Sequence, residues 1–346
     1  MKTVTQKTLR KWLQHRHGKF SEGKMAGQFA MIWGNGMIST GFLIPNIPVQ
    51  GPDQPHSVPS FCLSLALLFT KSPGCSNMGL ISNSLDSLSQ KLFNPVYREW
   101  IYLNSRYYAK RAESPFRVRF MGFQLEVTDG ASLVYQFKDI FYRQEYHFPC
   151  NTSDPVILDC GANIGLACLY FKRAFPGARI IALEADPRIA KMLSHNLQLN
   201  GFKDIEVIPK AVWIHNQGLE FMADGADGGH IRDLSGNSGI RVPSIRLAEI
   251  LEGQPRIDLL KMDIEGAESV VLADCGERLQ RVRHLYVEYH SRAGEPQQLG
   301  NVLHLLTEQG FRYFVSSVNQ EIHHPPFPEI SPGQIDLQLH IFAHKC

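Results

Sequence analysis

Four short stretches of this 346-residue chain carry side chains suited to chemistry rather than to packing. Asp159-Cys-Gly-Ala-Asn-Ile-Gly165 sets a carboxylate, an amide and two glycines within one turn. Glu184 follows at about 20 residues, the distance at which a carboxylate meets ribose hydroxyls in a βαβ nucleotide site. Asp263-Ile-Glu-Gly-Ala-Glu268 places three carboxylates just after Lys261, and Glu288-Tyr-His290 adds a fourth acid and an imidazole. Gly161 and Gly165 let the backbone come close to a ligand, and the helix start behind them offers unpaired N–H groups to a carboxylate or phosphate. Hydrogen bonds from sugar hydroxyls to a charged Glu184 contribute about 1.5–3 kcal/mol each.

The glycine spacing selects the nucleotide. A dinucleotide fingerprint reads G-x-G-x-x-G, whereas Asn163 replaces its second glycine and Gly165 arrives too early. Asn163 would crowd a pyrophosphate but can bond the polar end of an amino acid, and Asp159 suits a cationic amino group. The pair favours S-adenosylmethionine over a nicotinamide dinucleotide. Tyr142 and Glu145, a polar pair just ahead of the nucleotide strand, are expected to line the cofactor's methionine end. Ala211, within Lys210-Ala-Val-Trp213, marks where its adenine would lie.

At the other end of the crevice, Asp263, Glu265 and Glu268 close a strand whose carboxyl end faces the ligand. Transfer of a sulfonium methyl to a hydroxyl needs alignment and a base for the hydroxyl proton. His290 is the first candidate, because an unperturbed imidazole titrates near pH 6.5; Asp263 is the second. Lys261 lies between two acids and is expected to hold them, with Glu265, Glu268 and Glu288 binding or supporting the acceptor. No metal is expected: the seven cysteines form no C-x-x-C pair, and His323-His324 sits in a proline loop where neighbours rarely chelate together.

The elements that must position these groups follow from the apolar pattern. Val156–Leu158 reads as a strand buried on both faces, and Ile257–Met262 as a further, central strand. Arg179–Leu183, Ile205–Ile208 and His284–Tyr289 are further strands, and Phe311–Ser316 with Asp336–Ala343 alternate as an edge pair. Helices are expected over Ile164–Ala174, from Asp186-Pro187 to Asn200-Gly201, and over Leu299–Leu306 before Gly310. Upstream, Val96–Lys110 reads as an aromatic helix, Phe116–Phe120 and Phe123–Thr128 as a hairpin about Met121-Gly122, and Val134–Phe148 as an aromatic segment of mixed helical spacing. The division is an N-terminal extension, partly disordered or accessory, over 1–90, a helical and hairpin lead-in over 91–148, and the ligand-binding domain over 149–346. The glycine-rich residues 223–239 form a surface loop or a lid.

Composition is that of an ordinary globular protein with a net charge of +2. The first 85 residues hold eight Lys/Arg against Glu22 and Asp53, so the remainder is mildly acidic and lacks the basic surface of a nucleic-acid enzyme. Phe61–Phe69 is far shorter than the about 20 residues of a membrane span. Scattered cysteines fit a reducing cytoplasm.

Asp159–Gly165, Glu184-Ala-Asp-Pro187, Asn196-Leu-Gln-Leu-Asn-Gly201, Asp258–Glu268 and Glu288-Tyr-His290, with the upstream Ile140–Phe148, together resemble the FkbM family of S-adenosylmethionine-dependent methyltransferases. The resemblance spans about residues 115–320. It implies the α/β class I methyltransferase (Rossmann-like) fold: a seven-stranded sheet, mostly parallel with one antiparallel strand, helices on both faces. It also implies O-methylation of a hydroxyl on a small molecule, sugar or glycan. Ala185 and Cys160 are small departures from the family pattern. Rival readings are an N- or nucleic-acid methyltransferase, disfavoured because Met262-Asp-Ile-Glu265 stands where adenine methylases carry Asn-Pro-Pro-Tyr, an oxidoreductase, and a non-catalytic binding partner. The acceptor and the oligomeric state are not legible here.

Overall fold

The computed structural model describes residues 93–222, 230–231, 240–318 and 331–345. The extension over 1–90, most of the glycine-rich stretch 223–239 and the His323-His324 pair lie outside them. The chain divides into two units, Met1–Lys71 and Ser72–Cys346, and every described residue belongs to the second.

Helix α1 (Pro95–Tyr107) starts at Asn94, whose side chain accepts the N–H groups of Val96 and Tyr97, with Pro95 in its first turn. Strands β1 (Arg111–Phe120) and β2 (Phe123–Asp129) form the expected hairpin. Its turn needs positive φ at both central residues, and Met121 (45°) and Gly122 (88°) supply it. Asp129 caps α2 (Gly130–Phe137), after which a wide turn covers Lys138–Tyr142.

The nucleotide unit follows as β3 (Val156–Cys160), α3 (Leu166–Ala174), β4 (Arg179–Leu183), α4 (Pro187–Leu199) and β5 (Glu206–Ile208). Short strands β6 (Ala211–Trp213), β7 (Leu219–Met222), β8 (His230–Ile231), β9 (Ile240–Val242) and β10 (Ser244–Arg246) come next, then α5 (Leu247–Gly253). The chain continues through β11 (Ile257–Met262), α6 (Glu268–Cys275), β12 (Val282–Arg292), α7 (Leu299–Glu308), β13 (Arg312–Ser317) and β14 (Ile335–His344).

Seven strands make one sheet in the order β13-β14-β12-β11-β3-β4-β5. All pairs from β5 to β12 are parallel, and β14 runs antiparallel to both β12 and β13. This is the class I methyltransferase fold. The order reverses between β3 and β11, so their carboxyl ends frame the crevice where ligands bind in open α/β sheets. Every residue of β11 is buried, as a central strand covered on both faces requires.

Two apolar clusters cover the sheet. One joins Ile157, Leu169, Phe171 and Leu193 to Leu103, Val118, Leu125 and Phe137, so the lead-in packs into the same core as α3 and α4. Asn196, wholly buried on α4, ties them further: its Oδ1 accepts from Glu126 N (2.7 Å), and its Nδ2 donates to Glu126 O (3.1 Å) and Ile164 O (3.0 Å). The second cluster packs Leu158, Leu260, Met262 and Val287 beneath α5, α6 and α7. One boundary differs with consequence. The strand expected over His284–Tyr289 extends to Arg292 because β14 pairs along its whole length, which places His290 inside the sheet.

Candidate active site

The glycine turn sits at the end of β3. Gly161 has φ 79°, and a Cβ there would lie 1.8 Å from the backbone oxygen of Asp263, so only glycine lets β3 and β11 close together at their ends. Asn163 takes a left-handed conformation (φ 48°), which asparagine tolerates better than most residues, and its Oδ1 accepts from Ile164 N at 2.6 Å.

Glu184, half-buried at the end of β4, faces that turn. Its Oε2 accepts Asn163 N at 2.8 Å and its Oε1 accepts Asp186 N at 2.9 Å. Each oxygen keeps a second lone pair, room for two sugar hydroxyls. Burial pushes the Glu184 carboxyl up to about 7 against the pull of those two N–H groups.

Asp159 is wholly buried, and the cation it meets is the chain's own. Lys261 Nζ lies 3.4 Å from its Oδ1, and Cys168 Sγ bonds its Oδ2 at 3.5 Å. Asp159 thus sits behind the turn with a buried cation beside it, while its Oδ1 has no hydrogen-bond partner. Lys261, also buried, bonds Gly161 O at 2.6 Å and faces Asp263 Oδ2 at 3.5 Å. Burial opposes its charge, but Asp159 and Asp263 outweigh that and keep it firmly protonated. Of the acids that flank it in sequence it meets Asp263, while Asp258 pairs with Arg256 and Asp159 takes its place.

The second half of the crevice is a dense acidic cluster. Asp263 stands at the end of β11 with its backbone N–H on Cys160 O (3.1 Å). Burial and then Glu288 push its carboxyl up to about 6. Glu265, held at φ 59°, is pushed up to about 8 by burial and by Asp263. Glu268 is buried at the start of α6 and accepts the N–H groups of Ile264 (3.1 Å) and Gly266 (3.0 Å). Its role is to shape this turn.

His290 departs most from expectation. Its side chain is wholly buried, with Nδ1 3.2 Å from Glu268 Oε1 and Nε2 3.8 Å from Glu265 Oε2 and 3.7 Å from Glu288 Oε1. Burial disfavours its charge, yet Glu268, Glu265 and Asp263 prevail and raise it to about 10. At neutral pH it is a cation, so the near-neutral titration that recommended it as proton acceptor is corrected. Glu288 goes the other way: despite burial, His340, His290 and Gln338 pull it down to about 2.

Tyr142 packs its ring against Tyr97 at 5.2 Å, and Glu145 Oε2 pairs with His340 Nδ1 at 3.3 Å. Glu145 thereby joins the chain through His340 to Glu288 (3.6 Å) rather than the Glu184 corner. Ala211 is buried, its N–H spent on Pro243 O. Three contributors carry no local signal. Gln338 and His340 come from β14, and buried Tyr146 faces Lys261 Nζ at 5.9 Å and Tyr286 at 4.7 Å. Only the sheet register, which sets Glu288 opposite His340 and His290 opposite Gln338, could have found the first two.

Comparison with known proteins agrees with this geometry. Residues 159–313, the span from the glycine turn to the penultimate strand, match the methyltransferase FkbM domain. Methyltransferase sdnD of Sordaria araneosa is 32% identical over 219 residues, covering 51% of this chain and 80% of that protein. The chain belongs to the FkbM methyltransferase family. It is an S-adenosylmethionine-dependent methyltransferase, and a Glu184 with lone pairs to spare beside a glycine turn fits that cofactor. Similarity to FkbM relatives extends to 2-O-methyltransferase NoeI of Sinorhizobium fredii, 33% identical over 159 residues, 39% of this chain and 63% of that one. Among solved structures, methyltransferase FkbM from Methylobacillus flagellatus is similar at 15% identity, over 61% of this chain and 53% of that chain, with a TM-score of 0.39. No helix among the described residues is long and apolar enough to cross a membrane.

Proposed function

We propose that this chain methylates a hydroxyl oxygen of a small molecule, sugar or glycan in the reducing cytoplasm, with the proton of that hydroxyl drawn toward Asp263. The supporting observation is Lys261, which bonds the nucleotide turn at Gly161 O while facing Asp263. One buried lysine fixes the distance between cofactor corner and acid.

S-adenosylmethionine, when bound, supplies an activated methyl group. Glu184 holds its ribose, Gly161, Asn163 and Gly165 form the turn against its methionine end, and Ala211 borders the adenine. Glu145 and Tyr142 belong to the wall beyond that end. Alignment alone contributes up to about 7–11 kcal/mol in such reactions, and a proton acceptor about 10²–10⁴-fold more. Asp263, pushed up to about 6, is a far better proton acceptor than an ordinary carboxylate and is still mostly ionised at neutral pH. His290 and Lys261 supply the positive charge that keeps it so. The relative named as a 2-O-methyltransferase supports oxygen as the acceptor atom.

A labelled-methyl transfer screen over hydroxylated acceptors tests this. Asp263→Asn is expected to lower turnover about 10²–10⁴-fold while the affinity for S-adenosylmethionine stays within a few-fold. Transfer to amines alone, or full turnover in Asp263→Asn, would overturn it.

A further inference from the structure

Asp263, Glu265 and His290 each present one ligand-type atom, and these three atoms lie within 4.8 Å of one another. Asp263 and Glu265 follow the end of β11 and His290 lies within β12, 25 residues beyond Glu265 in sequence, so no local motif announces them. We propose that these three side chains form a binding site for a divalent cation.

The imidazole is oriented as a metal ligand is. Glu268 Oε1 holds Nδ1 at 3.2 Å, and Glu268 is itself fixed by the N–H groups of Ile264 and Gly266. A carboxylate on one ring nitrogen sets the tautomer and aims the other nitrogen, the arrangement seen behind metal-bound histidines. Here the other atom is Nε2, wholly buried, with Glu288 Oε1 at 3.7 Å and Glu265 Oε2 at 3.8 Å. Gln338 Nε2 lies 3.2 Å from it and 2.5 Å from Glu288 Oε1; metal binding would displace the proton that Nε2 carries in the cationic ring, since only a deprotonated imidazole nitrogen ligates. An incoming ion takes the place of that proton.

Charge points the same way. Asp263, Glu265, Glu268 and Glu288 converge on this pocket, answered by Lys261 on the Asp263 side and by His340 on the Glu288 side. Glu265 has His290 as its partner at 3.8 Å. Two carboxylates and one imidazole form a mixed hard and borderline donor set, suited to manganese or a similar first-row ion. Three protein ligands leave coordination positions open, and a hydroxyl placed on such an ion loses its proton more readily. That last role presumes the O-methylation proposed above, and Asp263 then serves the acceptor through the ion it holds. The site itself stands on the side chains alone.

The test uses the full chain, stripped with chelator and titrated with Mn²⁺ in the absence of cofactor and acceptor. Free Mn²⁺ is read by electron paramagnetic resonance and heat by calorimetry. A single saturable site is expected. Glu265→Gln and His290→Gln each weaken it about tenfold or more, and Glu249→Gln, an exposed acid elsewhere, leaves it unchanged. Should His290→Gln fail to fold by circular dichroism, Glu265→Gln decides. Parallel titrations with Mg²⁺ and Zn²⁺ rank the preference. Absence of saturable binding of any of the three, or binding untouched by Glu265→Gln, overturns the site. Methyl transfer that persists in chelator without cation binding removes the ion and leaves the methylation proposal standing; cation binding without any methyl transfer does the reverse.

Discussion

Asn163 donates its backbone N–H to Glu184 Oε2 at 2.8 Å, so the glycine turn and the end of the next strand are one hydrogen-bonded unit. The carboxylate that would hold a ribose is also a brace for the turn that would hold the methionine end. Glu184→Gln is therefore expected to weaken S-adenosylmethionine binding by about 10–150-fold, the equivalent of one charge-assisted bond at about 1.5–3 kcal/mol. Because burial lifts this carboxyl to about 7, wild-type affinity should rise between about pH 6 and pH 8 as the group ionises, and the variant should show no such rise. Calorimetric titration across that range reads both.

Lys261 is expected to resist replacement by an apolar side chain of similar length. Lys261→Met leaves Asp159 wholly buried and Asp263 half-buried without their shared cation, and removes the bond to Gly161 O. Breaking a buried pair in this way costs about 3–5 kcal/mol. Denaturant unfolding measures it, and a loss under about 1 kcal/mol would mean that the two acids find other partners.

Two glycines with nearly the same backbone angle separate strain from crowding. Gly161 (φ 79°) would drive a Cβ to 1.8 Å from Asp263 O, whereas Gly201 (φ 78°) has nothing within 4 Å of the same position. Gly201→Ala should cost about 1–2 kcal/mol, the left-handed penalty alone. Gly161→Ala should cost clearly more, about 4 kcal/mol or outright failure to fold. Thermal melts of the pair give the difference.

Stability of chelator-treated protein should fall as pH rises from about 6.5 to about 10. His290 binds its proton more tightly in the folded state, so its contribution is full below 6.5 and is lost through about 10. Glu265 acts with the same sign: its folded carboxyl is raised to about 8 from 4.5, and the stability it lends by staying protonated is lost across that window. Glu265→Gln should remove Glu265's share of the fall below about pH 8 and leave the share of His290, which continues to about 10. A melting temperature that is flat from pH 7 upward would contradict both assignments.

Much of this arrangement was legible in one dimension. Arg179–Leu183 and Ile257–Met262 are largely apolar runs stopped by acids, and the structure keeps them residue for residue. The helix after Asp186-Pro187 was equally plain, because a cap and a proline mark its first turn. The helix expected from Ile164 begins at Leu166 instead, since Asn163 and Gly165 both take positive φ. The environment of His290 was not legible. It is set by Gln338 across the β12–β14 register, by Glu265 on the loop after β11 and by Glu268 at a helix start. Those neighbours are fixed by topology, and an isolated histidine carries no trace of them. The partner of Glu145 was hidden for the same reason, His340 lying at the far end of the chain.

The amide of Asn196 spans the backbone of β2 at Glu126 and the carbonyl of Ile164 in the cofactor corner. A shortened protein starting after Phe148 would strand that side chain in an apolar interior with two of its three bonds gone, beside an exposed face of α3. The hairpin is thus a wall of the catalytic body, and Asn196 gives shifts in it a direct route to the nucleotide turn.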